Sequence, residues 1–188
     1  MYQICVSGAA RGDSVEEGKL LAVELGTAVA KAGHALMSGA TVGLPNYAAE
    51  AYKSAGGRMS VGISPASSKI EHVMKYRLPI LAYDVIIYSG LHYVGRDALL
   101  ITSSDAVVSI GGRLGTLHEF TIAIESGTPI GFLQGAGGIS DQVETLMELA
   151  RPLPPGSMVT FNRSAPDLIK DLTDYLDKDY SKYHNLYQ

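Results

Sequence analysis

The sequence has little of what would take it out of the ordinary globular class. Among its 188 residues there is one cysteine, no tryptophan and only three phenylalanines. Cys5 alone can form no internal disulfide, which excludes a disulfide-stapled scaffold and predicts a reducing, cytoplasmic compartment. No apolar run approaches the roughly 20 residues needed to cross a bilayer, so no membrane contact is expected. The opening "MYQICVSGAARGD" lacks a basic leader followed by a long apolar segment, so no signal peptide is expected. Positive charge is not in excess: a formal net charge of -4 argues against a protein that grips nucleic-acid phosphates. Metal-ligand spacings are missing too. His72 and His92 have no cysteine or acidic partner at such a spacing, His34 opens a strand and reads as structural, and no metal is expected.

What is present is a hydrophobic content of 46% with 18% charged residues, in a chain long enough for one well-packed domain. Short apolar runs alternate with helical periodicity. "QICVSG", "HALMSG", "RMSVGISP", "YDVIIYSG", "DAVVSIGG", "PIGFLQG" and "SMVTFN" read as strands. Between them, Leu21, Leu25, Ala28 and Val29 mark the buried face of a first helix, which Asp13 or Ser14 would cap with Glu16 or Glu17. Pro45 suits a first helical turn, and Gly56-Gly57 ends that helix. Further helices are expected through Arg96 and Leu99, over Thr116–Ser126, around Gln142–Leu149 and near Asp167–Leu176, while Ala66–Tyr83 is the least periodic part and is expected to contain a loop. Regular alternation implies right-handed crossovers and a mainly parallel sheet covered on both faces. The expectation is a single doubly wound, Rossmann-like α/β domain over residues 1–176, followed by a polar, tyrosine-rich tail over 177–188.

Three glycine turns recur, each after a strand and before a helix: "VSGAARGD", "MSGATVGLP" and "SIGGRLGT". In an open parallel sheet such turns share the carboxyl edge, where ligands bind. Glycine there lets backbone approach a ligand, and free N–H groups at a helix start attract phosphate. Any tight turn also favours glycine, but three on one edge favour a nucleotide-sized crevice. The residues expected to line it are Gly8, Ala9 and Arg11, then Ser38, Gly39, Thr41 and Gly43, then Gly111, Gly112, Arg113, Leu114, Gly115 and Thr116. The first turn is not a G-x-G-x-x-G fingerprint, so NAD is not expected.

Glu119 has two readings, and it is expected to serve both, capping its helix and facing the ligand. Thr116-Leu117-His118-Glu119 has the form of a capping box, in which the carboxylate reaches back to the helix start. It also stands where a carboxylate would face a bound phosphate, with Arg11, Arg96 and Arg113 as compensating cations. His118 either touches a ligand, because it flanks Glu119, or stands in solvent on the first helical turn, with solvent preferred. Tyr83, Tyr88 and Tyr93 either stack on a base or pack, with packing preferred. Asp105 ends a helix or starts a strand.

"SGATVGLPNYA" and "GRDALLITSSDAVVSIGGRLGTLHE" resemble the glycine motif and the Arg-Lys … P-G-G-x-G-T-x-x-E segment of the LONELY GUY phosphoribohydrolases. The likeness runs from "QICVSG" through "PIGFL". It implies a Rossmann-like, usually dimeric protein that hydrolyses the N-glycosidic bond of nucleoside 5'-monophosphates and requires no cofactor. Arg96 matches the catalytic arginine, Glu119 the catalytic glutamate, and Gly112, Gly115 and Thr116 the phosphate turn. The motif's lysine is Asp97 here, its proline Gly111 and its second glycine Arg113. Ser38-Gly39-Ala40 replaces three glycines, and Pro45-Asn46 replaces Met-Gly. The residue after the arginine is more similar to a neighbouring branch that includes molybdenum-cofactor carrier proteins.

Two functions follow as expectations. One is hydrolysis of a nucleoside monophosphate, with Glu119 stabilising positive charge on the ribose or activating water, and Arg96 anchoring phosphate or ribose. The other is binding and release of a phosphorylated ligand, nucleotide or molybdenum cofactor, unchanged. A homodimer or larger assembly is expected because Leu99, Leu100 and Ile101, then Phe120, Ile122, Ala123 and Ile124, make two helices apolar on more than one face.

Overall fold

Ile4 and Val6 point to one face of the first strand and Cys5 to the other, and each joins a separate buried cluster. That alternation needs cover on both sides of a sheet, and the fold supplies it. The computed structural model describes residues 1–186, with side chains as far as residue 183. Its strands are β1 (Gln3–Gly8), β2 (Ala35–Ser38), β3 (Ser60–Ser64), β4 (Val85–Tyr88), β5 (Ala106–Ile110), β6 (Ile130–Leu133) and β7 (Val159–Asn162). Its α-helices are α1 (Asp13–Lys31), α2 (Leu44–Ser54), α3 (His92–Thr102), α4 (Leu114–Ser126), α5 (Val143–Leu149) and α6 (Ala165–Tyr180). The sheet order is β4-β3-β2-β1-β5-β6-β7, with every pairing parallel.

The chain therefore builds outward from β1 to β4, returns through α3, and builds outward again from β5. The β1–β5 seam is the topological switch point, where the loops leaving neighbouring strands part to opposite faces and open a crevice. Helices α1, α2 and α6 cover one face, where Leu25, Val29, Tyr52, Leu168 and Leu172 pack on Ile4, Val6 and Val108. Helices α3, α4 and α5 cover the other, where Leu100, Ile101, Phe120 and Val143 pack on Cys5, Val107 and Phe132. Each of these large side chains contributes roughly 1.5–3 kcal/mol by leaving water.

Several local expectations change. Helix α1 is capped by Gly12 at φ 93, with no side-chain cap, so Asp13 is the first helical residue and no capping box forms. The segment Ala66–Tyr83, expected to contain a loop, also holds a short π-helical turn, Glu71–Lys75. Helix α6 begins after the cap Ser164, which accepts from the Asp167 N–H, and runs through Tyr180. The tail thus starts as helix, and Tyr180 donates to Asp105 on the sheet's lower edge at 3.0 Å. The tail's last two residues lie outside the described residues. Helices α3 and α4 are not apolar all round: Leu100, Ile101, Phe120, Ala123 and Ile124 are buried within the chain. The exposed apolar residues on these helices are Tyr93, Val94 and Leu114 and, from the expected set, Leu99.

Candidate functional site

A cavity of about 700 Å³ opens at the carboxyl end of the β1–β5 seam, a size that suits a small-molecule ligand. Residues of all three glycine turns reach it, together with Asp13 and Ser14 of α1, Tyr93, Arg96 and Asp97 of α3, Glu119 of α4 and Gly138 from the loop after β6.

The three helix starts are not equivalent. At α2, Leu44 N–H donates to Ala9 C=O, Asn46 and Tyr47 N–H both donate to Gly43 C=O, and Pro45 has no N–H. Nothing is left there for an anion. At α1 the first turn carries Asp13 and Glu16, which already oppose the helix dipole and repel a second negative charge. At α4 the cap is Arg113, the first turn holds no acid, and no side chain caps it. The ladder begins with Leu117 N–H to Arg113 C=O at 3.0 Å, which leaves the N–H groups of Leu114, Gly115 and Thr116 without an acceptor among the described residues. Of the three helix starts, this one has the free N–H groups that suit an anion.

That turn is held open from behind. Gly111 and Gly112 take φ 57 and 89, and a Cβ on Gly112 would lie 1.9 Å from Thr116 Oγ1. Their carbonyls point away from the cavity: Ile139 N–H donates to Gly112 C=O at 2.9 Å, and the Ser140 hydroxyl donates to Gly111 C=O at 2.7 Å. Ser140 is fully buried and also bonds the Ser109 hydroxyl of β5 at 3.1 Å. With the carbonyls tied back, the N–H side of the turn is left toward the cavity.

Glu119 does not cap its helix. Helix α4 starts three residues earlier than the capping-box motif suggests, with Arg113 and not Thr116 as its cap, so Thr116 lies inside it and Glu119 points inward. Its carboxyl accepts a short hydrogen bond from the Ser7 hydroxyl on β1. Burial pushes its pKa up to about 7 and the Asp97 carboxylate adds to this, while the Ser7 hydrogen bond, Arg96 and His118 pull it back. A carboxyl that titrates near neutrality in a cleft suits proton transfer.

Beside it, Arg96 and Asp97 form a buried pair, Nε to Oδ1 at 3.1 Å. Arg96 Nη1 also donates to Ile63 C=O at 3.1 Å, and the guanidinium lies directly over Gly39. Asp97 Oδ2 accepts from His118 Nδ1 at 3.0 Å. His118 is therefore tied to α3 across the helix pair, and not free on the first turn as expected.

Of the other expected residues, Gly8, Ala9, Arg11, Gly39, Thr41, Gly112, Arg113, Gly115 and Thr116 line the cavity. Ser38, Gly43, Gly111 and Leu114 do not. Ser38 is buried against the Tyr83 hydroxyl, Gly43 caps α2, Gly111 backs the turn, and Leu114 points to solvent. Tyr83 and Tyr88 pack, whereas Tyr93 is part of the wall. Sequence reasoning missed Ser7, Gly138 and Ser140, which become neighbours of the site only through sheet pairing. Among the described residues, no cluster of three His, Cys, Asp or Glu side chains could hold a metal ion. No helix among them is long and apolar enough to cross a membrane.

The fold is shared with solved structures. The structure of TM1055 superposes with a TM-score of 0.79 at 25% identity, covering 93% of this chain and 99% of that one. The molybdenum cofactor carrier protein of Chlamydomonas reinhardtii gives 0.71 at 24% identity, over 93% of this chain and 98% of the other. An uncharacterized protein of Archaeoglobus fulgidus is 31% identical over 134 residues, covering 71% of this chain and 81% of the relative. The resemblance to the LONELY GUY superfamily, on its carrier-like branch, is upheld. The SLOG cluster4 family model matches residues 1–156, and the chain belongs to that family.

Proposed function

We propose that the crevice binds a small phosphorylated ligand of nucleotide size and hydrolyses the N-glycosidic bond of a nucleoside 5'-monophosphate. The phosphate sits on the free N–H groups of Leu114, Gly115 and Thr116, with the exposed Arg11 and Arg113 at the lips. The observation that carries the reading is Glu119, a buried carboxyl titrating near 7 on the cavity wall, about one helical turn beyond that anion-binding end. In the reaction, water's oxygen bonds to the ribose C1' and the C1'–N bond breaks with its electron pair leaving on the base. The base gains a proton, and the products are free base and ribose 5-phosphate. Ionised Glu119 stabilises the positive charge that builds on the sugar, or takes the proton of the attacking water.

The test is incubation with AMP, following adenine and ribose 5-phosphate. Wild-type protein is expected to release both, and Glu119→Gln to slow release by roughly a hundredfold or more. Wild-type release that survives Glu119→Gln would remove the catalytic carboxylate.

A second reading is favoured by one observation: Asp97 pairs with Arg96 and neutralises the positive charge that the hydrolase motif would bring to the ligand. In that reading the crevice carries a phosphorylated pterin cofactor or a nucleotide and releases it unchanged. AMP bound without base release supports it. The buried, unpaired Cys5 thiol agrees with a reducing, cytoplasmic setting for either reading.

A further inference from the structure

We infer that Asp97, with Arg96 beside it, reads the sugar of the ligand and selects a free vicinal diol over a deoxy sugar. This rests on the reading that the crevice takes a phosphorylated, nucleotide-like ligand.

Both side chains line the cavity while only 5% and 8% exposed. Arg96 cannot swing toward the start of α4. Its Nε is held by Asp97 and its Nη1 by Ile63 C=O, each at 3.1 Å. Beneath it, a Cβ on Gly39 would lie 1.6 Å from Nη1, so the guanidinium fills the space glycine leaves. Among the described residues Nη2 has no hydrogen-bond acceptor, so Arg96 offers the cavity a donor edge and not a fork closing on phosphate.

Asp97 completes the complement. Its two oxygens accept one hydrogen bond each from the protein, from Arg96 and from His118. A carboxylate has about four acceptor positions, so some remain for a ligand. The pair is neutral as a unit, and a phosphate placed on it would face the Asp97 carboxylate and lose the free N–H groups of α4. The anionic end of the ligand therefore belongs at α4, and an uncharged polar part belongs at the pair. Adjacent hydroxyls, each able to donate and accept, match a guanidinium N–H beside a carboxylate oxygen. An acidic side chain reads a ribose diol in the same way in dinucleotide sites. A ligand lacking one hydroxyl would leave a buried polar group unmatched, which is what makes such sites discriminating. His118, part-exposed and outside the cavity wall, is a positioning residue that fixes Asp97 from behind.

The experiment is equilibrium binding of AMP, 2'-deoxy-AMP and ribose 5-phosphate to the full chain, with adenine release followed in parallel. Wild-type protein is expected to bind AMP roughly tenfold to a hundredfold tighter than 2'-deoxy-AMP. Asp97→Asn should bring the two within about threefold, because the lost hydrogen bond is a charged one. An Asp97 that only supported the fold would weaken both nucleotides equally and leave the ratio unchanged, which overturns the inference. Equal wild-type affinities overturn it as well. Should Asp97→Asn fail to fold, the wild-type ratio and its narrowing in His118→Ala decide. A wild-type preference for AMP that narrows in Asp97→Asn, seen without adenine release, supports the diol reading while removing the hydrolase one. No binding of AMP or ribose 5-phosphate overturns both.

Discussion

Glu119 carries a stability consequence separate from any catalysis. Its carboxyl titrates near 4.5 when solvated and about 7 when folded, mainly through burial. A raised folded value means that the neutral acid is the form the fold favours. Its contribution is complete below about pH 4.5 and is lost as pH rises through 7. The change is on the order of 3 kcal/mol across that window, from the linkage of pKa to free energy. Glutamine has nearly the same shape and no charge at any pH, so Glu119→Gln should stabilise the protein increasingly as pH rises from about 5 to about 8. Urea unfolding of both proteins at the two ends would show it; a pH-independent difference would refute the assignment. At this scale the sequence disclosed part of the site. Arg96 and Glu119 stood out because a motif spaced them. Asp97 stood out only as a departure from the motif, since its partners Arg96 and His118 meet it through helix packing, which spacing alone does not reveal. Thr116 and Glu119 have the spacing of a capping box, and what defeats it is a helix that begins three residues earlier.

Elements were the more legible level. All seven expected strands form, because each is an apolar run bounded by glycine or polar residues, and the parallel order follows from the intervening helices. What the pattern could not tell is which glycine turn presents free N–H groups. That depends on Ala9 C=O closing α2 and on the loop after β6 holding the turn before α4. The second dependence can be tested with Ser140→Ala, which deletes the hydroxyl that ties back Gly111 C=O and bonds Ser109. About 1–2 kcal/mol of stability should be lost. Phosphate or AMP affinity should fall several-fold beyond what a mutation of equal stability cost elsewhere produces, for instance Tyr52→Phe in the α2 layer. Calorimetric titration of the two variants separates a local effect on the turn from general loosening.

The whole molecule leaves one surface unexplained by its own core. Val94 and Leu81 are 72% and 95% exposed, and Ile70, Met74, Val85, Ile87 and Leu91 are exposed with them, around β4, α3 and the segment between β3 and β4. Isolated exposed apolar residues are ordinary, but this many in one stretch of chain favour association. We expect a particle of at least two chains, and light scattering at micromolar concentration would report it; a 19.9 kDa particle would count against it. The seam between β1 and β5 has a different consequence. It divides the chain near Ser103 into two lobes, one built on β1 to β4 and the other on β5 to β7. The free N–H groups of α4 belong to the second lobe, and the Arg96–Asp97 pair and Ser7 belong to the first. A molecule seated in the crevice would bridge the two like a rivet. A chain nicked between α3 and β5 would then be held together by strand pairing, helix contacts and its own guest, which makes the fold a natural starting point for a two-piece, ligand-assembled sensor.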